Sequence, residues 1–357
     1  MSQSAAQPDR QSLTVGRAVD WSFAATVGAK LTRPEPPITD YTRDQVREQL
    51  AEASRRAELP VREVTLLNEG AEIPEARIVD RKQWVRAATE SMRIMTGGQS
   101  SSTAGLAAML TGRLTGAQTG AVLAFVSSGI LGQYDPFGVN GGELLLVYPN
   151  VVATERQLRV TPAEFRLWVC LHEVTHRVQF RANPWLRDHM SQALAVLTDD
   201  ANLDIGDITG RLAEYVRNHR NGDADPNSQG ILGIVRILQS DEQRRALDQL
   251  LVLGTLLEGH ADHVMDAVGP AVVPSVATIR DRFDARRQRK HSPLQRIIRA
   301  LLGFDAKIAQ YTRGKKFVDE VVSTVGMTRF NTIWTDAETL PLPTEIDEPR
   351  QWIDRVL

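Results

Sequence analysis

Apolar residues recur at helical spacing along most of the chain, and short continuous apolar runs are few. An apolar-periodic segment surrounds Trp21 to Val27. After Pro34, Pro36 and Pro37, Thr42 is placed to cap a charged amphipathic helix reaching about Glu58, and a further helix spans about Arg81 to Met95, with Gly97 and Gly98 as its stop. Ala117 to Leu131, rich in Gly, Ala and Ser, reads as a buried helix whose small residues permit close packing. It is about 15 residues long, short of the roughly 20 that span a bilayer. The best strand candidate is Gly141 to Asn150, a short apolar run with glycines in front and Pro149 near its end. The expected class is mainly α (α+β) with a small sheet, and no internal repeat is present.

Two later helices carry the ionisable residues of interest. In T-P-A-E, Thr161 stands as N-cap, Pro162 at the first helical position and Glu164 at the third, predicting a capping box and a helix over 162–182 that ends near Asn183-Pro184. Ser240 with Gln243 predicts another capping box, and Gly269-Pro270 a stop, for a helix over 241–268 that is apolar around most of its circumference and therefore buried.

Composition adds bounds rather than function. The 357 residues, 42% hydrophobic and 24% charged with a formal charge of −2, describe an ordinary globular chain with no bulk signature of a nucleic-acid partner or stable membrane insertion. The single cysteine, Cys170, excludes an internal disulfide and reads as a packed core thiol. With an N-terminus lacking basic and apolar signal regions, it leads to an expected cytoplasmic location. Residues 1–15 read as a disordered tail and 16–357 as one domain.

The first helix contains L-H-E-V-T-H. His172 and His176 lie about 40° apart around the axis, so both imidazoles leave one face toward a shared ion, expected to be one zinc per chain. Glu173, about 100° from His172, is poorly placed as a ligand from the same turn but suited to act as general base on a water beside the metal. A third protein ligand is needed. The pattern that supplies it nearby in metzincins fails, because Gln179 and Ala182 stand where Gly and His are required. Four ionisable groups on the second helix, Glu258, His260, Asp262 and His263, are costly to bury without partners, and a metal would explain them.

Glu258 followed by Asp262 resembles the E-x-x-x-D helix of thermolysin-like gluzincins. That resemblance implies Glu258 as third zinc ligand and Asp262 as hydrogen-bond acceptor for the remaining ring N–H of His172 or His176; residues four apart do share a helix face. The chain from about Trp21 onward is similar to an actinobacterial zincin-like family known as zinc-dependent metalloproteases or coenzyme F-420 biosynthesis-associated proteins. The motifs are G-Q-Y-D-P-F (Gly132 to Phe137), L-H-E-V-T-H-R-V-Q-F, P-W-L-R-D-H (Pro184 to His189), E-G-H-A-D-H-V-M-D, Q-Y-x-x-G-x-x-F-V (Gln310 to Val318) and N-T-I-W-T (Asn331 to Thr335). The resemblance implies a zincin-like fold, a small sheet beside the H-E-x-x-H helix, a cleft between helices 162–182 and 241–268, and hydrolysis of a peptide or small amide.

Several features stay open at this level. Tyr311, His260 and His263 are candidate oxyanion stabilisers or structural hydrogen-bonding groups. Glu143 to Tyr148 is either an edge strand along the cleft, to which a peptide could add, or a buried core strand. Trp185 and Trp334 line a cleft or, more ordinarily, a core. Asp199, Asp200, Asp204 and Asp207 read as helix ends and caps rather than a second cation site, and R-R-Q-R-K-H (Arg286 to His291) as a solvated charged loop. The alternative to an enzyme is a degenerate zincin scaffold in which zinc serves only the fold. The intact Glu173 favours the enzyme.

Overall fold

In the computed structural model, residues 19–68, 70–97, 106–138, 141–197, 240–287 and 304–357 are described, with the backbone alone for 106–108, 287 and 304–312. Helix α1 (Trp21–Leu31) starts where the Asp20 carboxylate accepts the Phe23 N–H. Helix α2 (Asp40–Thr65) is capped by Thr39, whose hydroxyl accepts the Thr42 N–H, so Thr42 sits inside the first turn and not at the cap. The helix also runs past Glu58 through Pro60, because tertiary packing of Val46, Leu50, Ala53, Ala57 and Val61 outweighs the local signals. Strand β1 (Arg77–Val79) leads into α3 (Arg81–Met95), with an Asp80/Gln83 capping box.

Helix α4 (Leu106–Val126) corrects the expectation of a buried helix reaching Leu131. It ends at Val126, and its outer face is open, with Leu110 and Leu114 exposed. The opposite side packs against α1 and α3, most closely on α1: a methyl group on Gly120 would stand 2.4 Å from the Ala24 carbonyl oxygen. Among the described residues no helix is long and apolar enough to cross a membrane.

Strands β2 (Gly132–Asp135) and β3 (Glu143–Val147) complete a three-stranded sheet of order β1-β3-β2, with β1 parallel and β2 antiparallel to β3. β3 is therefore central, which removes the edge-strand reading of Glu143 to Tyr148. Its continuous apolar run follows from burial on both faces: Leu144 and Leu146 join the core around α6, while Leu145 and Val147 join the cluster of Val85, Trp84 and Leu123. The strand stops at Val147 rather than Asn150, because Pro149 occupies the first turn of α5 (Tyr148–Leu158), where a missing N–H costs nothing.

Helix α6 (Pro162–Ala182) spans the bounds expected of it, but its cap differs. Thr161 makes no side-chain cap bond, and Glu164 instead accepts the Ser275 N–H at 2.7 Å, tying the start of α6 to the turn before α9 (Val276–Arg287). Phe165, Val169, Cys170, Val174 and Val178 are buried, and burial raises the Cys170 thiol pKa, leaving an inert core group. Helix α7 (Trp185–Leu197) follows. The Ser240/Gln243 capping box opens α8 (Asp241–Val272), which kinks at Gly269 (φ 45°) and continues one short turn beyond the expected stop. Helix α10 (Phe304–Phe330), a 3₁₀ turn (Asn331–Trp334) and α11 (Pro349–Val356) close a second core with α7 and α8, formed by Leu186, Leu253, Phe317, Trp334 and Trp352. Trp334 belongs to that core and Trp185 packs on it, donating its indole N–H to the Trp334 carbonyl. Residues 1–15, the acidic group at 199–207 and Gln288 to His291 of the basic run lie outside the described residues.

The register of α6 on α2 is held by charge. Glu58, fully buried, accepts from Arg62 on its own helix at 2.7 Å and from Arg177 of α6, the residue after His176. Arg177 and Arg62 also donate to the Pro74 and Ala71 carbonyls. A buried carboxylate shared by two guanidiniums leaves little unpaired charge, and losing one partner of such a set typically costs about 3–5 kcal/mol.

Candidate metal centre

His172 and His176 leave the same face of α6, one turn apart, and Glu258 enters from α8. Their donor atoms converge: His172 Nε2 lies 3.2 Å from His176 Nε2 and 3.3 Å from Glu258 Oε2, and His176 Nε2 lies 3.7 Å from the same oxygen. Ligand atoms about 2.0–2.1 Å from a tetrahedral zinc ion stand roughly 3.3–3.4 Å apart, so this two-nitrogen, one-oxygen set has the spacing and the chemistry that zinc takes. It is the cluster of metal-ligand type found among the described residues.

Electrostatics agree with the close packing. Burial disfavours protonated His172, but the Glu258 carboxylate hydrogen-bonded to it outweighs burial and raises its pKa to about 9. Burial alone would raise Glu258, yet the two imidazoles hold it well below the usual carboxylate range. Without metal, the site therefore keeps an ionised carboxylate against a protonated imidazole.

Glu173 is buried beside this cluster and faces β2, the sheet edge. A methyl group on Gly132 would fall 2.6 Å from Glu173 Cγ and 2.8 Å from its carboxyl carbon, so the strand can run across the carboxylate only because this position lacks a side chain. Gly132→Ala is expected to displace the Glu173 carboxylate and lower any hydrolytic kcat by at least about tenfold, the scale set by misplacing a reacting group. Bound zinc should be unchanged. Parallel metal analysis and turnover measurements check this, and unchanged turnover would remove the steric argument.

The pair opens on a cleft of about 490 Å³ whose walls include Leu131, Phe137, Trp168, Phe180, Met190 and Phe283, with Asp262 at its edge. Trp168, one turn before His172, packs between Phe165 and Phe283. Asp262 shares the cleft face with Glu258, and its charge favours protonated His172. Arg280 donates to its backbone carbonyl and stands 3.9 Å from its carboxylate.

The acceptor for His176 Nδ1 is not Asp262 but Gln179, at 2.9 Å. Gln179 is three residues further along the same helix, so the i, i+3 spacing was visible in the sequence, although a glutamine at that spacing carries no specific signal. His260 and His263 are not in the cleft, which corrects their candidacy as oxyanion stabilisers. The α8 helix turns both away from Glu258. His260 is fully buried against Phe330 and Trp334, and burial above all, with His263 and His176 nearby, pushes it down to about 3. His263 Nδ1 pairs with Asp319 of α10 at 2.7 Å. Tyr311 lies on α10 where side chains are outside the described residues.

Residues 19–353 match the family model described as zincin-like metallopeptidase. No curated protein matches the chain. Among solved structures it is similar to a Chloroflexus aurantiacus protein described as a candidate hydrolase with a novel fold. The two share 29% identity and a TM-score of 0.65, over 94% of this chain and 98% of the other.

Proposed function

From the premise that the chain belongs to the zincin-like metallopeptidase family, we propose that it is a zinc-dependent hydrolase of peptide or small amide bonds, with His172, His176 and Glu258 holding one zinc ion and Glu173 as general base. The observation that carries this reading is that a buried carboxylate, Glu173, lines the same cleft as the three converging donors. A site with only a structural role usually supplies four protein donors and needs no carboxylate beside an open position.

Zinc bound there supplies Lewis acidity, polarising the scissile carbonyl and easing deprotonation of water near neutral pH. The chain's own residues do the rest. Glu173 takes the proton of the attacking water and, once protonated, can deliver it to the leaving amine. The edge of β2 away from β3 offers backbone N–H and C=O groups to an extended substrate, since β2 pairs only with β3 among the described residues. The apolar walls favour a substrate with a large apolar group beside the scissile bond.

Two measurements test the proposal. Elemental analysis of metal-replete protein is expected to give close to one zinc per chain, and a peptide library is expected to reveal zinc-dependent cleavage next to apolar residues. Absence of any transition metal would overturn the metal site. A full complement of zinc with no cleavage of any peptide or amide would leave a scaffold.

A further inference from the structure

We propose that Gln179 is a positioning residue that fixes the ring tautomer of His176 and locks the H-E-x-x-H helix to the helix bearing Glu258. The proposal rests on the zinc reading only for its consequence on metal affinity. The hydrogen bonds of Gln179 do not depend on zinc.

The side chain of Gln179 is fully buried and meets three groups: His176 Nδ1 at 2.9 Å from its Oε1, and the Leu257 carbonyl oxygen and His260 Nδ1 at 3.1 and 3.0 Å from its Nε2. A carboxamide has one acceptor end and one end with two N–H donors. The Leu257 carbonyl can only accept, so the Gln179 NH₂ must face it. A flipped amide would set two oxygens against each other in a buried site. With that direction settled, Oε1 faces His176 and can only accept, so His176 must carry its proton on Nδ1. The Nε2 lone pair is then aimed at His172 and Glu258, the atoms that define the metal cluster.

The second N–H of Gln179 goes to His260 Nδ1, which must accept and therefore leaves the His260 proton on Nε2. That Nε2 is buried with no hydrogen-bond partner, enclosed by Phe330 and Trp334. A buried unpaired donor is costly. Its presence beside the Gln179 bond fits a histidine retained for the acceptor it offers at Nδ1. The direction of the chain thus runs from a backbone carbonyl, Leu257, one residue before Glu258, through Gln179 to His176. The α8 backbone that positions Glu258 also orients the second imidazole.

The test uses the full-length protein. Long-range ¹⁵N–¹H spectra of metal-free protein are expected to show His176 protonated at Nδ1, and chelator competition is expected to show Gln179→Leu binding zinc about 10–100-fold more weakly, the range for losing a group that orients a metal-binding histidine. Gln179→Glu keeps an acceptor toward Nδ1 and should retain both the Nδ1 proton and an affinity above that of Gln179→Leu. If Gln179→Leu does not fold, the wild-type tautomer and the Nδ1 proton of Gln179→Glu still decide. A His176 proton on Nε2 in metal-free protein, wild-type zinc affinity in Gln179→Leu, or a Gln179→Glu variant without its Nδ1 proton would each overturn the proposal. Failure of wild-type protein to bind zinc would instead overturn the metal reading and leave the tautomer result standing.

Discussion

Glu173→Gln is expected to retain zinc and fold while reducing hydrolysis by about 10²–10⁴-fold, the usual worth of a positioned general base. The amide is nearly isosteric with the carboxylate, so it can keep the place against Gly132 where a larger group cannot fit. It cannot accept a proton from water at neutral pH. Because Glu173 is not one of the three converging donors, its charge can be lost without removing a donor from the set. The measurement is paired: metal content and thermal unfolding beside kcat and KM on the best library substrate. A loss confined to kcat marks a group acting in the transition state. Turnover at the wild-type rate would take Glu173 out of the mechanism.

Glu258→Ala is expected to lose zinc most completely of the α8 variants, by more than the about 10–100-fold typical of removing a group that only hydrogen-bonds to a metal-binding residue. Asp262→Ala should bind more weakly than wild type without abolishing binding, and His263→Ala, which pairs with Asp319 away from the cleft, should bind normally. Proton coupling supplies an independent signature. Glu258 holds His172 at about 9, so in metal-free protein at pH 7 the His172 ring is protonated and zinc must displace that proton. Apparent affinity should therefore rise about tenfold per pH unit as pH increases toward 9, with about one proton released per zinc at pH 7. Glu258→Ala removes the carboxylate that favours protonation, so proton release at pH 7 should fall along with affinity. Calorimetry in buffers of different ionisation enthalpy reads both quantities. Wild-type affinity in Glu258→Ala would mean that another residue completes the cluster.

The sheet shows how far local pattern reaches. The run around Leu144 to Val147 announced a strand, but an apolar run is equally compatible with an edge packed on one face and a centre packed on both. Only the neighbours settle which, and here β1 and β2 flank it. The edge along the cleft belongs to Gly132–Asp135, a segment noted in the sequence as a motif and not as a strand. That its glycine lies against Glu173 is a fact of the tertiary structure alone.

The chain order of residues by itself determined the helical class, the two helices that carry the candidate ligands, and the pairing of His172 with His176. These depend on helical period and on spacings within one element, where 100° per residue sets direction without reference to the rest of the molecule. The meeting of α6 with α8 was decided in three dimensions. It brings Glu258 within 3.3 Å of His172, gives the His176 ring nitrogen to Gln179 in place of Asp262, and withdraws His260 and His263 from the cleft. Each of those outcomes depends on the rotation of one helix against another. That rotation is set by core packing and by the buried Gln179, whose bond to the Leu257 carbonyl joins residues 78 apart in sequence, and no local pattern records it.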